Sequence, residues 1–207
     1  MGKNTTLGGL LIVLSGPSGV GKGSVCKELY KINENIKESV SVTTRKPREG
    51  EKDGVSYYFT DQEGFFNMIE KGELLEWAKV YDNYYGTPIK AVLDNLKAGR
   101  DVLLELDIQG AMKVQQNFPE GVFIFLLPPS ISELKNRISK RGTETEEDLD
   151  KRFNAAKEEI QLAREYNYVI VNNILKTSAD RIDSIVKAEK CRVKRYGEEL
   201  IREVIEK

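Results

Sequence analysis

Residues Leu10–Ser24 read LLIVLSGPSGVGKGS and constrain this chain more than any other stretch. A run of branched apolar residues enters a glycine-rich turn ending in Lys22, and a helix-compatible segment, SVCKELYK, follows. The order strand, loop, helix gives the G-x-x-x-x-G-K spacing of Gly16, Gly21 and Lys22 the context of a phosphate-binding loop. The physics is local. Small residues let successive backbone N–H groups turn toward one anion, the new helix adds its positive end, and lysine supplies a point charge. Gly16, Pro17, Ser18, Gly19, Val20, Gly21, Lys22, Gly23 and Ser24 are the candidate contacts to a nucleotide's phosphates. Gly23 departs from the pattern, standing where a Ser or Thr hydroxyl would meet magnesium, and Ser24 comes one place late. The bland alternative is a tight strand-to-helix turn with chance glycines.

The length of 207 residues suits one α/β domain with inserted subdomains. A net charge of −1 offers no basic field to recruit nucleic acid or a membrane surface. No apolar run reaches the length of a membrane span. Cys26 and Cys191 are far apart and outside any C-x-x-C pattern, which fits a reducing, cytoplasmic setting. The chain has no histidine, so chemistry built on a histidine base or a His-ligated metal is excluded.

Beyond the loop, Lys37–Val42 reads as one short strand that breaks into TTRKPREGEKDG, and Tyr57–Thr60 resumes as strand. Thr60 with Glu63 predicts a capping box for a helix to about Lys71, and Leu74–Val80 is the next strand. Asn83–Gly86 reads as a turn, and Thr87-Pro88 opens a helix that Gly99 closes. Val102–Leu106, ending at Asp107, and Val122–Leu127 are core strands, with a helix from Gly110 between them. After Pro128-Pro129 come two charged helices joined at Arg141-Gly142-Thr143, with a second capping box at Thr143 and Glu146. Tyr168–Val171 reads as a last short core strand, followed by a helix over about Ser178–Arg195 and an amphipathic tail. Strands alternating with helices imply parallel pairing and ligands at the strands' carboxyl ends, where the glycine loop and Asp107 lie. The organisation is one core with insertions at roughly Ser39–Leu93 and Ser130–Arg164.

The segments GPSGVGKGS, SVTTRKPREGEKDGVSYYF, LLEWAKVYDNYYGT, LLELDIQGA, PPS and KRGTETEEDLDKR, in this order and spacing, resemble the guanylate kinase family essentially end to end. The resemblance implies a P-loop NTPase-type three-layer α/β core with a parallel sheet, an inserted GMP-binding subdomain and a helical lid. Its divisions are 1–38, 94–129 and 165–207 for the core, 39–93 for the GMP-binding part and 130–164 for the lid. The activity implied is transfer of the ATP γ-phosphate to GMP and, by extension, dGMP, with Mg2+ accompanying ATP. ATP and GMP are then the small-molecule partners.

Carried over residue by residue, the resemblance places Ser41, Arg45, Arg48, Tyr57 and Tyr85 at the acceptor nucleotide. Two guanidinium forks three residues apart suit a dianionic phosphate, although a solvated basic loop has the same composition. Glu76 matches the position that reads guanine. A carboxylate only accepts, and guanine's pairing edge offers two adjacent N–H donors where adenine offers an acceptor. An edge-strand glutamate facing water is the bland reading. Ser41 and Thr87 match further guanine contacts, with Thr87 equally suited to capping the next helix. Glu105 and Asp107 match an acidic pair that suits outer-shell magnesium or the acceptor nucleoside. With Gly23 offering no hydroxyl, the ion is expected to be held by ATP oxygens and water, with no direct protein ligand. Arg137, Arg141 and Arg152 match lid arginines that close over the transferring phosphate, Arg141 also near adenine, and Asn172 matches a position beside the adenine ring. Lys22, Arg45, Arg137, Arg141 and Arg152 are the expected catalytic cations.

Overall fold

The computed structural model describes residues 8–80, 82–139 and 146–207. Strand β1 (Leu11–Ser15) is buried throughout, as its unbroken apolar run requires of a strand covered on both faces. The loop follows, then helix α1 (Lys22–Ile32) and the short strand β2 (Ile36–Glu38). Strands β3 (Val42–Thr43) and β4 (Tyr58–Phe59), helix α2 (Gln62–Glu70), and strands β5 (Leu74–Val80) and β6 (Asn83–Pro88) come next. Helix α3 (Ile89–Lys97), strand β7 (Asp101–Glu105), helix α4 (Ile108–Asn117) and strand β8 (Val122–Leu127) return the chain to the core. Helices α5 (Ile131–Ser139) and α6 (Glu146–Gln161), strand β9 (Tyr168–Val171), and helices α7 (Leu175–Glu189) and α8 (Glu198–Ile205) complete it.

The core sheet is parallel in the order β2-β7-β1-β8-β9. Alternate residues of β1 serve its two faces. Leu10, Ile12 and Leu14 pack with Val25 and Leu29 of α1 and Ile182 and Val186 of α7, whereas Leu11 and Val13 pack with Val92 and Leu96 of α3 and Val114 of α4. Three layers result. Since α1 follows β1 onto one face and α4 follows β7 onto the other, a crevice opens between the carboxyl ends of those neighbouring strands, the usual ligand position in an open α/β sheet. A second, four-stranded sheet in the order β4-β3-β6-β5 stands beside this crevice, backed by the fully buried Phe65 of α2.

Several local expectations give way. The segment read as one strand over Lys37–Val42 divides between the two sheets, β2 pairing with β7 and β3 with β6. Asn83–Gly86 is strand, paired antiparallel with β5 and β3. Asp61, not Thr60, caps α2, accepting from the Gly64 amide at 2.7 Å. Helix α4 begins at Ile108, capped by Asp107 through the Gly110 amide at 2.7 Å. Strand β9 is an edge strand with only Ile170 buried, and α7 ends at Glu189, followed by a π-helical turn over Val193–Gly197. Arg141 and Thr143 lie outside the described residues, as does the Arg152 side chain.

Candidate active site

The loop between β1 and α1 takes its shape from three glycines with positive φ, Gly16 at 149°, Gly19 at 82° and Gly21 at 98°. A Cβ at Gly16 would lie 2.4 Å from the Leu126 carbonyl, so the loop hugs β8 where no side chain fits. Lys22, first residue of α1, curls back and donates to the Gly16 carbonyl at 2.7 Å, which holds its ammonium across the cradle. Burial lowers the Lys22 pKa, and the carboxylates of Glu105, Glu159 and Asp107 oppose that by favouring the charged form. Asn172, buried just past β9, braces the loop from behind: its Nδ2 donates to the Val20 carbonyl at 2.8 Å and its Oδ1 accepts from Ser178 at 2.9 Å. Both ends of the amide expected beside adenine are thus engaged within the protein.

Arg137 of α5 also reaches the loop's back, donating to the Val20 and Asn172 carbonyls at 3.3 Å each while Glu133 accepts from its Nε at 2.9 Å. Helix α5 packs its Leu134 and Ile138 over Gly19, and Ala156 of α6 joins them in one buried cluster. Three residues along α6, Glu159 approaches Lys22 and the Ser18 amide; burial raises its pKa and these two groups counter it.

Across the crevice, Ser41, Tyr57, Thr87 and Glu105 line a cavity of about 220 Å³. Glu76 stands opposite Thr87 in the β5–β6 register, and the Thr87 hydroxyl donates to its Oε1 at 2.7 Å. The Thr87 hydroxyl is thus engaged with Glu76 and not with the next helix. Helix α3 has Pro88 as its N-cap, with no side-chain cap bond. Glu76 is 7% exposed, and burial raises its pKa against the lowering effects of Thr87 and Lys113. Arg45 lies with its guanidinium 5.4 Å over the Tyr57 ring, and Tyr57 meets Tyr85 edge-on at 6.0 Å. The structure therefore gathers Ser41, Arg45, Tyr57, Glu76, Tyr85 and Thr87 on or beside the second sheet, while Arg48 stays exposed and enters through its backbone.

Glu105 ends β7 facing α1. A Cβ on Gly23 would be 3.3 Å from its Oε2, so this carboxylate reaches the helix turn where a hydroxyl is missing. Burial raises its pKa, opposed by Lys22.

Sequence reasoning missed three participants. Glu51 clamps the arginine loop, accepting from Arg45 Nη2 and from the Arg48 amide, both at 2.8 Å. Its only signal was an opposite charge six residues from Arg45. Ser39, whose buried hydroxyl has no hydrogen-bond partner among the described residues, lines the cavity two residues before Ser41. Glu159 carried no signal beyond its place on a charged helix.

Comparison with known proteins bears on the chain as a whole. The family model described as Guanylate kinase matches residues 9–189. A guanylate kinase of Clostridioides difficile (strain 630) is 58% identical over 188 residues, covering 91% of this chain and 92% of its own. One from Caldanaerobacter subterraneus subsp. tengcongensis is 58% identical over 187 residues, covering 90% and 91%. The crystal structure of guanylate kinase from Anaplasma phagocytophilum superposes with a TM-score of 0.74 at 39% identity, covering 95% of this chain and 94% of that one. Matched along nearly its whole length by the family model, by these relatives and by a solved structure, the chain belongs to the guanylate kinase family.

Proposed function

We infer that the chain transfers the γ-phosphoryl group of ATP to GMP, forming ADP and GDP, and that it accepts dGMP as well. One observation carries the reading: an acceptor-only carboxylate, Glu76, is held by Thr87, and Thr87 lines one cavity with Glu105, whose carboxylate stands beside Gly23 after the Lys22 loop. Within this reading the amides of residues 16–24 and Lys22 hold the donor phosphates, segment 39–93 binds GMP and segment 130–164 is the lid. Arg45 and Arg48 take the GMP phosphate, with the Tyr57 and Tyr85 hydroxyls as further donors, and Ser41, Glu76 and Thr87 take the base.

Phosphoryl transfer requires in-line positioning and neutralisation of the equatorial oxygens. No general base is needed, because the acceptor phosphate has a second pKa near ~6 and already carries a nucleophilic oxyanion. Arg137, Arg141 and Arg152 supply positive charge when the lid closes, which keeps water from intercepting the phosphoryl group. Arg137 must first leave the Val20 and Asn172 carbonyls, whose 3.3 Å separations make them weak bonds to exchange.

The carboxylate of Glu105 beside Gly23, with Asp107 beyond it, fits a hydrated magnesium ion entering with ATP, and that ion would neutralise charge between the donor phosphates. Among the described residues no helix is long and apolar enough to cross a membrane. A cytoplasmic setting accords with free Cys26 and Cys191. Steady-state ADP release with GMP, dGMP, IMP, AMP and UMP tests the whole reading: GMP and dGMP are expected to turn over fastest. A rate independent of the acceptor would overturn it.

A further inference from the structure

Gly110 occupies the third position of α4, where Asp107 is the N-cap. Glycine is among the poorest helix formers, and the backbone here needs no positive φ to justify it. Space justifies it. A Cβ at 110 would lie 3.2 Å from Asp107 Oδ1 and 3.2 Å from Glu76 Oε2, inside the 3.4–4 Å of ordinary contact. The Gly110 amide already donates to Asp107 Oδ1 at 2.7 Å, so the acid that follows β7 and the acid of β5 both come to rest on this residue.

The same face of α4 is fastened to β5. Lys113, one turn on, donates to the Trp77 carbonyl at 2.6 Å and lies 5.1 Å over the Trp77 ring, and Asn117 reaches the Leu75 carbonyl at 3.5 Å. The two oxygens of Glu76 are therefore set from opposite sides, Oε1 by the Thr87 hydroxyl and Oε2 by the gap above Gly110. A local departure from helix preference that opens room for a buried carboxylate is the pattern of a functional constraint.

We propose that Gly110 is a positioning residue for purine selectivity: its missing side chain fixes the plane of the Glu76 carboxylate, so that both N–H donors of a guanine edge are met together. The proposal rests on the reading of this pocket as the GMP site. Guanine offers the ring N–H and the 2-amino group, whereas hypoxanthine has only the ring N–H. A carboxylate turned out of plane by a methyl group loses its advantage with the first base and little with the second.

The experiment is calorimetric titration of GMP, IMP and ATP into the full chain and its Gly110→Ala and Lys113→Met variants, with thermal denaturation of each. In Gly110→Ala the GMP affinity is expected to fall about tenfold to hundredfold, the loss of one hydrogen bond to a charged group, and IMP by less than about threefold. ATP affinity stays unchanged. Lys113→Met, which frees α4 from Trp77, shifts the GMP-to-IMP preference in the same direction by a smaller factor and serves if the alanine variant does not fold. Equal losses for GMP and IMP would mark a merely structural glycine and overturn the proposal, as would an unchanged preference in both variants. A parent chain that binds neither nucleotide rejects the GMP reading itself and takes this inference with it.

Discussion

Two regions of this molecule bury acidic side chains and treat them in opposite ways. At the end of α7, Glu189 is 1% exposed and accepts from Arg195 Nε at 2.8 Å, Arg192 Nη1 at 3.2 Å and the hydroxyl of Tyr168, the first residue of β9. Burial pushes its pKa up, and these donors together outweigh that and leave it lowered. Asp101 is as well supplied, with the Leu10 amide at 2.9 Å, Lys190 at 2.7 Å and Asn35 at 3.3 Å. At the crevice, Glu76 has the Thr87 hydroxyl and, among the described residues, no ion pair within 4 Å; there burial prevails and the pKa rises. A buried charge with its partners in place holds the chain together. One left short of partners is a cost that the fold does not need, and in the proposed function the guanine edge completes it.

The largest effect that tests this contrast is on stability. Glu189→Ala strands the largely buried Arg195 and is expected to cost about 3–5 kcal/mol in urea unfolding, with KM for both nucleotides unchanged in whatever fraction folds. Lys22→Ala should do the reverse, lowering kcat by about 10²–10³-fold with a small change in melting temperature. Next comes Glu76→Gln. Glutamine keeps an acceptor for Thr87 but turns donors toward guanine, so GMP affinity is expected to fall about tenfold to hundredfold while ATP affinity holds. The melting temperature at neutral pH should not fall. A carboxylate whose folded pKa is raised binds protons more tightly folded than unfolded, so its ionisation works against folding as pH rises, and the amide removes that burden. A clear destabilisation by Glu76→Gln would place Glu76 with Glu189 and dissolve the contrast.

The difference also governs what the sequence could reveal. The phosphate loop was legible because all its determinants lie within fifteen consecutive residues: an apolar run, three turn glycines and a lysine. Strands β7 and β8 follow from similar apolar runs and β9 from a shorter one, whereas β2, Ile-Lys-Glu, has no such run and is strand through its pairing with β7. The second sheet was harder, since β3 and β4 are two residues each and exist through their partners: β3 pairs with Tyr85 and Gly86, more than forty positions away. Asn83–Gly86 has a turn's composition and becomes strand because β5 and β3 flank it. Glu76 could be picked out only through the family pattern, since an edge glutamate and a base-reading one look alike until Thr87 is placed opposite. Ser39 and Gly110 meet neighbours distant in the chain, which no local pattern encodes, and Glu51, only six residues from Arg45, sits in a charged loop with no periodicity to single it out.

The smallest expected effect sharpens the contrast most. Thr87→Val keeps the shape of the side chain and removes the one hydrogen bond that the Glu76 carboxylate accepts among the described residues, a loss on the order of 1 kcal/mol, or about fivefold in GMP affinity at neutral pH. Its signature lies in the pH dependence. Within the proposed function guanine recognition needs the ionised carboxylate, so GMP affinity in the parent chain falls as pH drops through the raised pKa of Glu76, and in Glu76→Gln only the fall due to the GMP phosphate, whose second pKa is about 6, remains. Thr87 lowers that pKa by bonding the charged form; without it the pKa climbs further, and the acid limb of the binding curve moves to higher pH. Well above that limb Glu76 is ionised in both proteins, and the gap between Thr87→Val and the parent chain should narrow to the lost bond alone. A helix-capping threonine would behave differently, lowering the melting temperature and leaving the limb where it was. Titration of GMP across pH into Thr87→Val therefore tests whether the crevice keeps Glu76 short of partners by one bond or by more, and an unmoved limb would show that Thr87 has no part in holding its charge.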